Sequence, residues 1–436
     1  MTNFSLHQRA INSTDRYFYI WAIFLPINSY VLLPSIQGTT IGFLMAFLSI
    51  ILSPLLAKYV KDVLRFFYTL AAILMIYLFV ILTSQLSLAF SPTIDFSNVI
   101  LIDPDDSKYL FKSSLFTQSL YMVAAFATFT YVRVFYKENW NKYIFIGGAI
   151  LAIYGLYEVL FFMITGTSGD FLTNRTFGDG NVRGSAFQKM QLGGLTIMRL
   201  KSLTGEPSMY AFTIIPFFAY AAFYLKWKKT SVLLLISLCL STSSTFIVGL
   251  IIMLVLGIRK VMRSYMAIYL ALWGIILAFI FMGPAKIYET ASAIFLDKIM
   301  MKDISGSVRI TNFLNHMDFY GDLPFLNKLF GVGFGYIRST DMFSTLFVNT
   351  GFVGFLIFSG LFAYPLIKLG KDKQAKVLKL ILLTIYLSMM IAVPEYSYLS
   401  TWLFLGIAYN KIYREKLQRQ AILKERRIAL REKQAV

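Results

Sequence analysis

The sequence predicts an all-α polytopic membrane protein with about twelve transmembrane helices. The 436-residue chain is 57% hydrophobic and 17% aromatic, and its mean hydropathy is +0.66. Only 14% of its residues are charged, against roughly a quarter in soluble domains. A soluble fold of this composition would expose far too much apolar surface. We therefore expect one membrane domain over residues 1–436.

Long apolar runs mark the expected spans, because about 20 apolar residues in a helix cross a bilayer. The runs cover residues 17–36, 38–57, 64–87, 114–136, 143–165, 209–227, 231–257, 264–283, 342–367, 377–395 and 397–413. The run at 231–257 is too long for one ordinary span and carries the polar stretch STSST, residues 241–245, in its middle. We expect two short helices joined at that stretch, where protein or a water-filled cavity must satisfy the backbone. This brings the predicted spans to twelve.

Lysine and arginine predict the orientation of these spans. The chain has 41 Lys and Arg against 22 Asp and Glu, a net charge of +19. Placing both termini in the cytoplasm puts most basic residues inside and most acids outside, as the positive-inside rule requires. The net charge then reflects an anionic inner leaflet and not a nucleic acid partner. The basic tail, residues 411–436, is expected to be cytoplasmic, as either an interfacial or a solvated helix.

The sequence lacks the common signatures of metal and nucleotide sites. It has one cysteine, Cys239, and two histidines, His7 and His316. No HExxH, Cys/His cluster or Walker loop is present. The stretch GVGFGY, residues 331–336, has Tyr336 where GxGxxG has its third glycine. We interpret it as a flexible turn before the next helix, and we expect no metal ion or cofactor.

Two loops on the external side are too long to be simple connectors. They cover residues 166–208 and 284–341, and a third, shorter loop at 88–113 is acidic. Binding and catalytic residues are concentrated on loops held by a rigid scaffold. These loops are therefore the expected place of function.

Several charged residues lie at the edge of an apolar segment in the first loop. Arg199 and Lys201 precede Glu206 and Pro207, and Pro207 predicts the first turn of a helix. The two basic residues suit either an anionic ligand or lipid headgroups. Glu158 lies inside an apolar run, where a charge costs on the order of 2.5–3.5 kcal/mol. We expect it to face a polar cavity or to pair with a loop arginine.

Four short stretches resemble the O-antigen polymerase (Wzy-type) family, which is related to O-antigen ligases and other bacterial polysaccharide polymerases. They are RLKSLTGEPSMYAF at 199–212, LSTSSTFIVGL at 240–250, SVRITNFLNH at 307–316 and LFGVGFGY at 329–336. The resemblance implies a GT-C-like fold and a metal-independent glycosyltransferase that polymerises undecaprenyl-pyrophosphate-linked repeat units on the outer face of the bacterial cytoplasmic membrane. The product would be O-antigen or capsular polysaccharide. The implied partners are the lipid-linked glycan donor and acceptor, membrane lipid and a chain-length regulator protein.

The resemblance also implies roles for individual residues. Arg199 and Arg309 are expected to clamp the lipid pyrophosphate from two loops, with Lys201 and Arg338 as further contacts. Arginine suits this role because its planar fork binds phosphate oxygens bidentately. The alternative is that these side chains contact lipid headgroups only.

The base for the acceptor hydroxyl is expected to be Asp341 or, as a rival, Glu206. Related ligases carry a histidine where this chain has Asp341, which favours a polymerase over a ligase. His316 is expected to be a helix-surface residue without a catalytic role. The alternatives are a ligase that transfers glycan to lipid A core and a lipid-linked oligosaccharide flippase, although a flippase would show internal repeats and little extramembrane mass.

Overall fold

The computed structural model describes residues 12–33, 38–172, 189–192, 195–261 and 304–434. The described residues form α-helices joined by loops, together with one antiparallel two-stranded sheet. The α-helices are α1 (Ser13–Phe24), α2 (Ile41–Leu56), α3 (Val60–Phe90), α4 (Ser113–Phe135), α5 (Asn141–Thr165), α6 (Pro207–Ala219), α7 (Lys228–Ser241), α8 (Ser244–Val261), α9 (Ile304–Asp322), α10 (Phe325–Phe330), α11 (Met342–Lys368), α12 (Lys373–Ala392) and α13 (Leu399–Gln434). The strands are β1 (Lys189–Leu192) and β2 (Leu195–Met198).

Six helices in the described part of the chain are long and apolar enough to cross a membrane. They are Val60–Phe90, Ser113–Phe135, Glu138–Thr165, Pro207–Leu225, Met342–Lys368 and Lys373–Ala392. This confirms an all-α, multi-pass membrane protein. The apolar run predicted at 264–283 lies outside the described residues, and the number twelve stays a prediction.

The first predicted span, 17–36, does not form one helix. Helix α1 ends at Phe24 and the chain reaches Pro26, which has no backbone N–H and ends the helical pattern. Val31 then pairs with Thr40 across an antiparallel bridge before α2 begins. The segment is apolar, as the sequence shows, but Pro26 and the residues after it prevent one continuous helix.

The break predicted in the 231–257 run is present. Helix α7 ends at Ser241, Thr242 adopts a left-handed conformation with φ of 44°, and α8 begins at Ser244. The Arg199 side chain satisfies polar atoms of this turn, because its Nε donates to Thr242 Oγ1 at 3.0 Å and its Nη2 donates to the Thr242 carbonyl at 3.2 Å. A backbone break at membrane depth requires such protein contacts.

Several helix ends that carry Lys and Arg meet at one side of the molecule, where Lys58, Arg65, Lys137 and Arg414 line one cavity. We call this side the basic end. There the Asn410 side chain donates to the Arg133 carbonyl at 2.8 Å, and Lys411 Nζ lies 2.9 Å from Asp372 Oδ2. We call the opposite side the loop end. It carries the described parts of the loops at 91–112, 166–206, 323–341 and 393–398.

Helix α13 continues without interruption from the last apolar run into the basic tail. The residues from Lys411 to Gln434 are helical, and most of the side chains beyond Arg414 are exposed. The tail therefore continues a helix that packs against α4.

The glycine-rich turn at 331–336 packs tightly against α11, unlike the flexible turn expected from the sequence. A Cβ on Gly331, whose φ is 80°, would lie 2.3 Å from the Asn349 carbonyl oxygen. The Asn349 side chain accepts from the Ile337 N–H at 2.9 Å and donates to the Ile337 carbonyl at 2.7 Å. This turn therefore fixes the position of the residues that follow it.

Candidate functional site

A cavity of about 160 Å³ at the loop end brings together charged residues from four separate segments. Its walls come from the start of α6, from α9, from the segment after the glycine-rich turn and from the connection between α12 and α13. The lining residues are Glu206, Ser208, Met209, Arg309, Arg338, Ser339, Thr340, Ala392, Val393, Pro394 and Glu395. We call it the loop-end cavity. Three predicted site residues, Glu206, Arg309 and Arg338, meet in it.

Arg309 reaches the cavity from α9 and contacts the end of α12. Its Nη1 donates to the carbonyl of Ala392, the last residue of α12, at 2.8 Å. The last carbonyls of a helix have no partner within the helix, and a cation there interacts favourably with the helix dipole. This contact therefore anchors the guanidinium at the cavity wall.

Arg338 is held in the cavity by an ion pair with Glu395. The Arg338 backbone N–H donates to the Ile100 carbonyl at 3.0 Å, which ties this segment to the third loop. The Glu395 carboxylate raises the pKa of Arg338, while burial raises the pKa of Glu395 against the opposing effect of Arg338. The Arg338 side chain is still 42% exposed, so part of its donor fork faces the cavity region.

Glu395 was not among the predicted site residues. Its sequence signal is weak, since it is a single acid after Pro394 in a short connection between two apolar runs. An acid in such a place is usually interpreted as a solvated turn residue. Only the folded chain shows that it lies opposite Arg338.

Glu206 lies at the first turn of α6, as the Glu-Pro pair predicts. It is the N-cap residue, Pro207 occupies the first helical turn, and the Ser208 hydroxyl donates to Glu206 Oε2 at 3.1 Å. Its negative charge contributes to the raised pKa values of both Arg338 and Glu395. The cavity therefore holds two carboxylates and two guanidinium groups around one helix N-terminus.

Asp341 lies beside the cavity but caps a helix. Its Oδ1 accepts from the Ser344 N–H at 2.7 Å, and its Oδ2 accepts from the hydroxyls of Ser344 at 2.8 Å and Ser339 at 3.0 Å. The residue is 5% exposed and is not among the described residues that line the cavity. Both carboxylate oxygens are thus engaged in starting α11, which leaves Glu206 better placed than Asp341 to accept a proton.

The capping role makes a prediction about Asp341. Asp341→Ala should lower the free energy of unfolding by about 0.5–2 kcal/mol, whereas Asp341→Asn, which keeps an acceptor for Ser344 N–H, should cost less. Thermal unfolding of the purified variants in detergent measures both effects. If Asp341→Ala unfolds like the wild type, or Asp341→Asn loses as much stability as Asp341→Ala, the capping role is wrong.

Arg199 and Lys201 lie elsewhere than the sequence suggested. Neither belongs to the lining of the loop-end cavity among the described residues. Arg199 contacts the break between α7 and α8, as described above. Lys201 is buried, with its Nζ 3.1 Å from Asp170 Oδ2 and 3.8 Å from Glu158 Oε1. Among the described residues, Arg309 and Arg338 are therefore the two predicted arginines that line one cavity, and Arg199 lies apart from them.

Glu158 is buried in α5, where the first loop folds back onto the helix. Its Oε2 accepts from the Ser202 N–H at 2.9 Å, and Lys201 supplies the nearby positive charge. Gly155 allows the close approach, because a Cβ there would lie 2.6 Å from Leu200 Cδ2. Lys201 of the first loop thus lies beside Glu158, and the Ser202 contact ties this loop to α5.

His316 is buried and not at a helix surface as expected. It is 1% exposed, its Nδ1 lies 2.5 Å from the Asn312 carbonyl oxygen, and its Nε2 accepts from the Ile100 N–H at 3.4 Å. These contacts fit a neutral imidazole with the proton on Nδ1. Burial lowers the pKa of His316 below its ordinary 6.5, although the Asn312 carbonyl and the Asp341 charge oppose the shift.

This lowered pKa predicts a pH effect on stability. Well above pH 6.5 the imidazole is neutral in both states, and its contribution is fully present. As the pH falls from about 6.5 through the lowered pKa, the unfolded chain binds the proton before the folded chain does, so stability is lost. Unfolding of the wild type and of His316→Gln, compared from pH 7.5 to 5, should show a smaller loss in the variant. Equal losses would contradict the assignment.

The described residues contain no group of three or more His, Cys, Asp or Glu side chains arranged to hold a metal ion. Comparison with protein-family models, with curated proteins and with solved structures finds no match to this chain.

Proposed function

We propose that the protein is a membrane glycosyltransferase that polymerises lipid-linked oligosaccharide repeat units at the loop-end cavity. One observation carries the proposal: Arg309 and Arg338, from segments far apart in sequence, meet Glu206 at the N-terminus of α6. Two guanidinium groups, two carboxylates and a helix N-terminus in one cavity suit a glycosyl transfer whose leaving group is a diphosphate. The resemblance to the Wzy-type polymerases supports the same reaction.

The two arginines bind the lipid diphosphate. Guanidinium groups bind phosphate oxygens bidentately and stay charged near lipid, and the N-terminus of α6 adds N–H groups and a positive dipole end. Glu395 orients Arg338 through their ion pair. The clamp stabilises the charge that develops as the diphosphate leaves, which is where preorganised donors have their largest effect.

Glu206 acts as the base in this scheme. The hydroxyl oxygen of the acceptor sugar forms a bond to the anomeric carbon of the donor, and the bond from that carbon to the diphosphate oxygen breaks. The lipid diphosphate leaves with the bonding electron pair, and the hydroxyl proton passes to the Glu206 carboxylate. Glu206 is half-buried at the cavity wall, within reach of a sugar that approaches the helix N-terminus.

The proposal includes the finer topology expected from the sequence. The chain crosses the bacterial cytoplasmic membrane twelve times in a GT-C-like arrangement, with both termini and the basic end in the cytoplasm. The loop-end cavity then faces the outside, where lipid-linked repeat units are displayed. The partners are the lipid-linked donor and acceptor, surrounding lipid and a chain-length regulator protein.

The experiment is to give the purified, reconstituted protein a defined undecaprenyl-diphosphate repeat unit and to separate the products by length. We expect a ladder that Glu206→Gln abolishes while donor binding is kept. Lys371→Gln, exposed at the basic end, is the matched control and should leave the ladder unchanged. Transfer only to lipid A core would identify a ligase, and translocation without new bonds would identify a flippase; both results contradict the proposal.

A further inference from the structure

A second, larger cavity lies at the basic end, on the side of the molecule opposite the loop-end cavity. It has a volume of about 1020 Å³ and is built from the start of α1, the connection between α2 and α3, the end of α4 with the residues that follow it, and α13. We call it the basic-end cavity. Since α3 and α4 each run from one end of the molecule to the other, it is separated from the loop-end cavity by the length of these helices.

The charges in its wall leave an excess of cations. Arg65 pairs with Asp62 at 3.4 Å, and Lys137 pairs with Asp15 at 2.6 Å. These pairs fix the wall without adding net charge.

Two further cations in the wall, Lys58 and Arg414, face one further acid, Glu138. Both cations are exposed, and neither makes an ion pair within the described residues. The lining of the cavity therefore carries a net positive charge, and its guanidinium and ammonium groups border the same cavity. This is the chemistry that binds a phosphate group.

Apolar side chains next in sequence to the lining residues Lys58, Tyr59 and Arg65 are exposed. Leu55 is 77% exposed, Val60 76% and Leu64 49%. They continue into the outer face of α3, of whose apolar window only 28% is buried. A ligand with a charged head in the cavity can thus lay apolar chains along this surface.

Aromatic side chains mark this level as a membrane boundary. Tyr59 is 51% exposed, with Lys58 Nζ 5.4 Å from its ring centroid. The Arg65 guanidinium lies 3.7 Å from the centroid of the Tyr413 ring. Tyrosine and basic residues gather at membrane interfaces, where the headgroups lie.

We propose that the basic-end cavity binds the anionic headgroup of a membrane phospholipid, with the acyl chains against the exposed residues of α2 and α3. The polar cavity accounts for the headgroup and the neighbouring exposed apolar side chains account for the acyl chains, which a free phosphate would not use. Basic pockets between membrane helices are suited to anionic lipids. The site is independent of the reaction proposed for the loop-end cavity.

The test measures lipid binding to the full chain, purified and delipidated in detergent, by native mass spectrometry. Phosphatidylglycerol should bind more tightly than phosphatidylcholine, and its binding should weaken as the ionic strength rises. The double variant Lys58→Gln/Arg414→Gln should weaken phosphatidylglycerol binding by roughly tenfold and leave phosphatidylcholine unchanged. Both residues are exposed, so the variant is expected to fold.

Two control variants keep the result specific. Lys371→Gln/Lys376→Gln removes exposed charges at the basic end outside the lining of the cavity, and Lys424→Gln/Arg427→Gln removes charges from the tail. Neither should reproduce the tenfold loss. Equal binding of the two lipids to the unchanged protein, equal losses in a control variant, or full displacement by millimolar inorganic phosphate would overturn the proposal.

Discussion

Replacing Arg309 with lysine is expected to slow polymerisation by roughly two to three orders of magnitude, the usual effect of losing one donor that stabilises a developing oxyanion. Lysine keeps the positive charge, and its ammonium can still donate to the Ala392 carbonyl that Arg309 contacts. It loses the planar fork that holds two phosphate oxygens together. The rate of ladder growth from a defined lipid-linked repeat unit measures the effect, with protein level and thermal unfolding measured alongside.

Arg199→Lys is the matched control for this substitution. Arg199, like Arg309, is an arginine of a predicted external loop. It contacts the turn at Thr242 and does not line the cavity. Its variant should lose stability while the folded fraction keeps near-normal turnover. A normal rate in Arg309→Lys, or a larger loss of rate in Arg199→Lys, would show that the diphosphate is not bound where we place it.

Replacing Lys201 with methionine is expected to be the most destabilising single change at the loop end. Methionine has a similar length but removes the ammonium group that contacts both Asp170 and Glu158 in a buried cluster. Removing one partner of a buried ion pair costs about 3–5 kcal/mol. The yield of membrane-inserted protein and its unfolding temperature in detergent should both fall.

Neutralising the carboxylates should reverse part of this loss. In Lys201→Met/Asp170→Asn/Glu158→Gln the buried charges are removed together, so the triple variant should be more stable than the single one. Lys142→Met, at an exposed position of α5, serves as the control for the substitution itself. If the triple variant is no more stable than Lys201→Met, the buried charges are not the cause of the loss.

The sequence was sufficient for those features that depend on local pattern. Composition and apolar runs predicted the membrane class, the STSST stretch predicted the break between α7 and α8, and the Glu206-Pro207 pair predicted the start of α6. Each depends on residues that are neighbours in the chain. Patterns among neighbouring residues are enough to predict such features.

Features that depend on which loops meet could not be predicted in this way. Arg199 and Arg338 are both loop arginines next to apolar runs, and only the folded chain places one at a backbone break and the other opposite Glu395. Asp341 likewise has a carboxylate that could serve as a base, but in the folded chain this carboxylate caps α11. Pairing between distant segments is set by the packing of the helices that carry them, which the spacing of charges in sequence does not encode.

The most direct test of our account is to locate the substrate on the protein. A lipid-linked repeat unit with a photoreactive diazirine on the sugar next to the diphosphate would be bound to the reconstituted chain, cross-linked and mapped by peptide mass spectrometry. We expect cross-links within the segments that line the loop-end cavity, at Arg309 and at 206–209, 338–340 and 392–395, and competition by unlabelled substrate. Cross-links confined to the basic-end cavity, or absent from all four places, would contradict the central claim that glycosyl transfer takes place at the loop-end cavity.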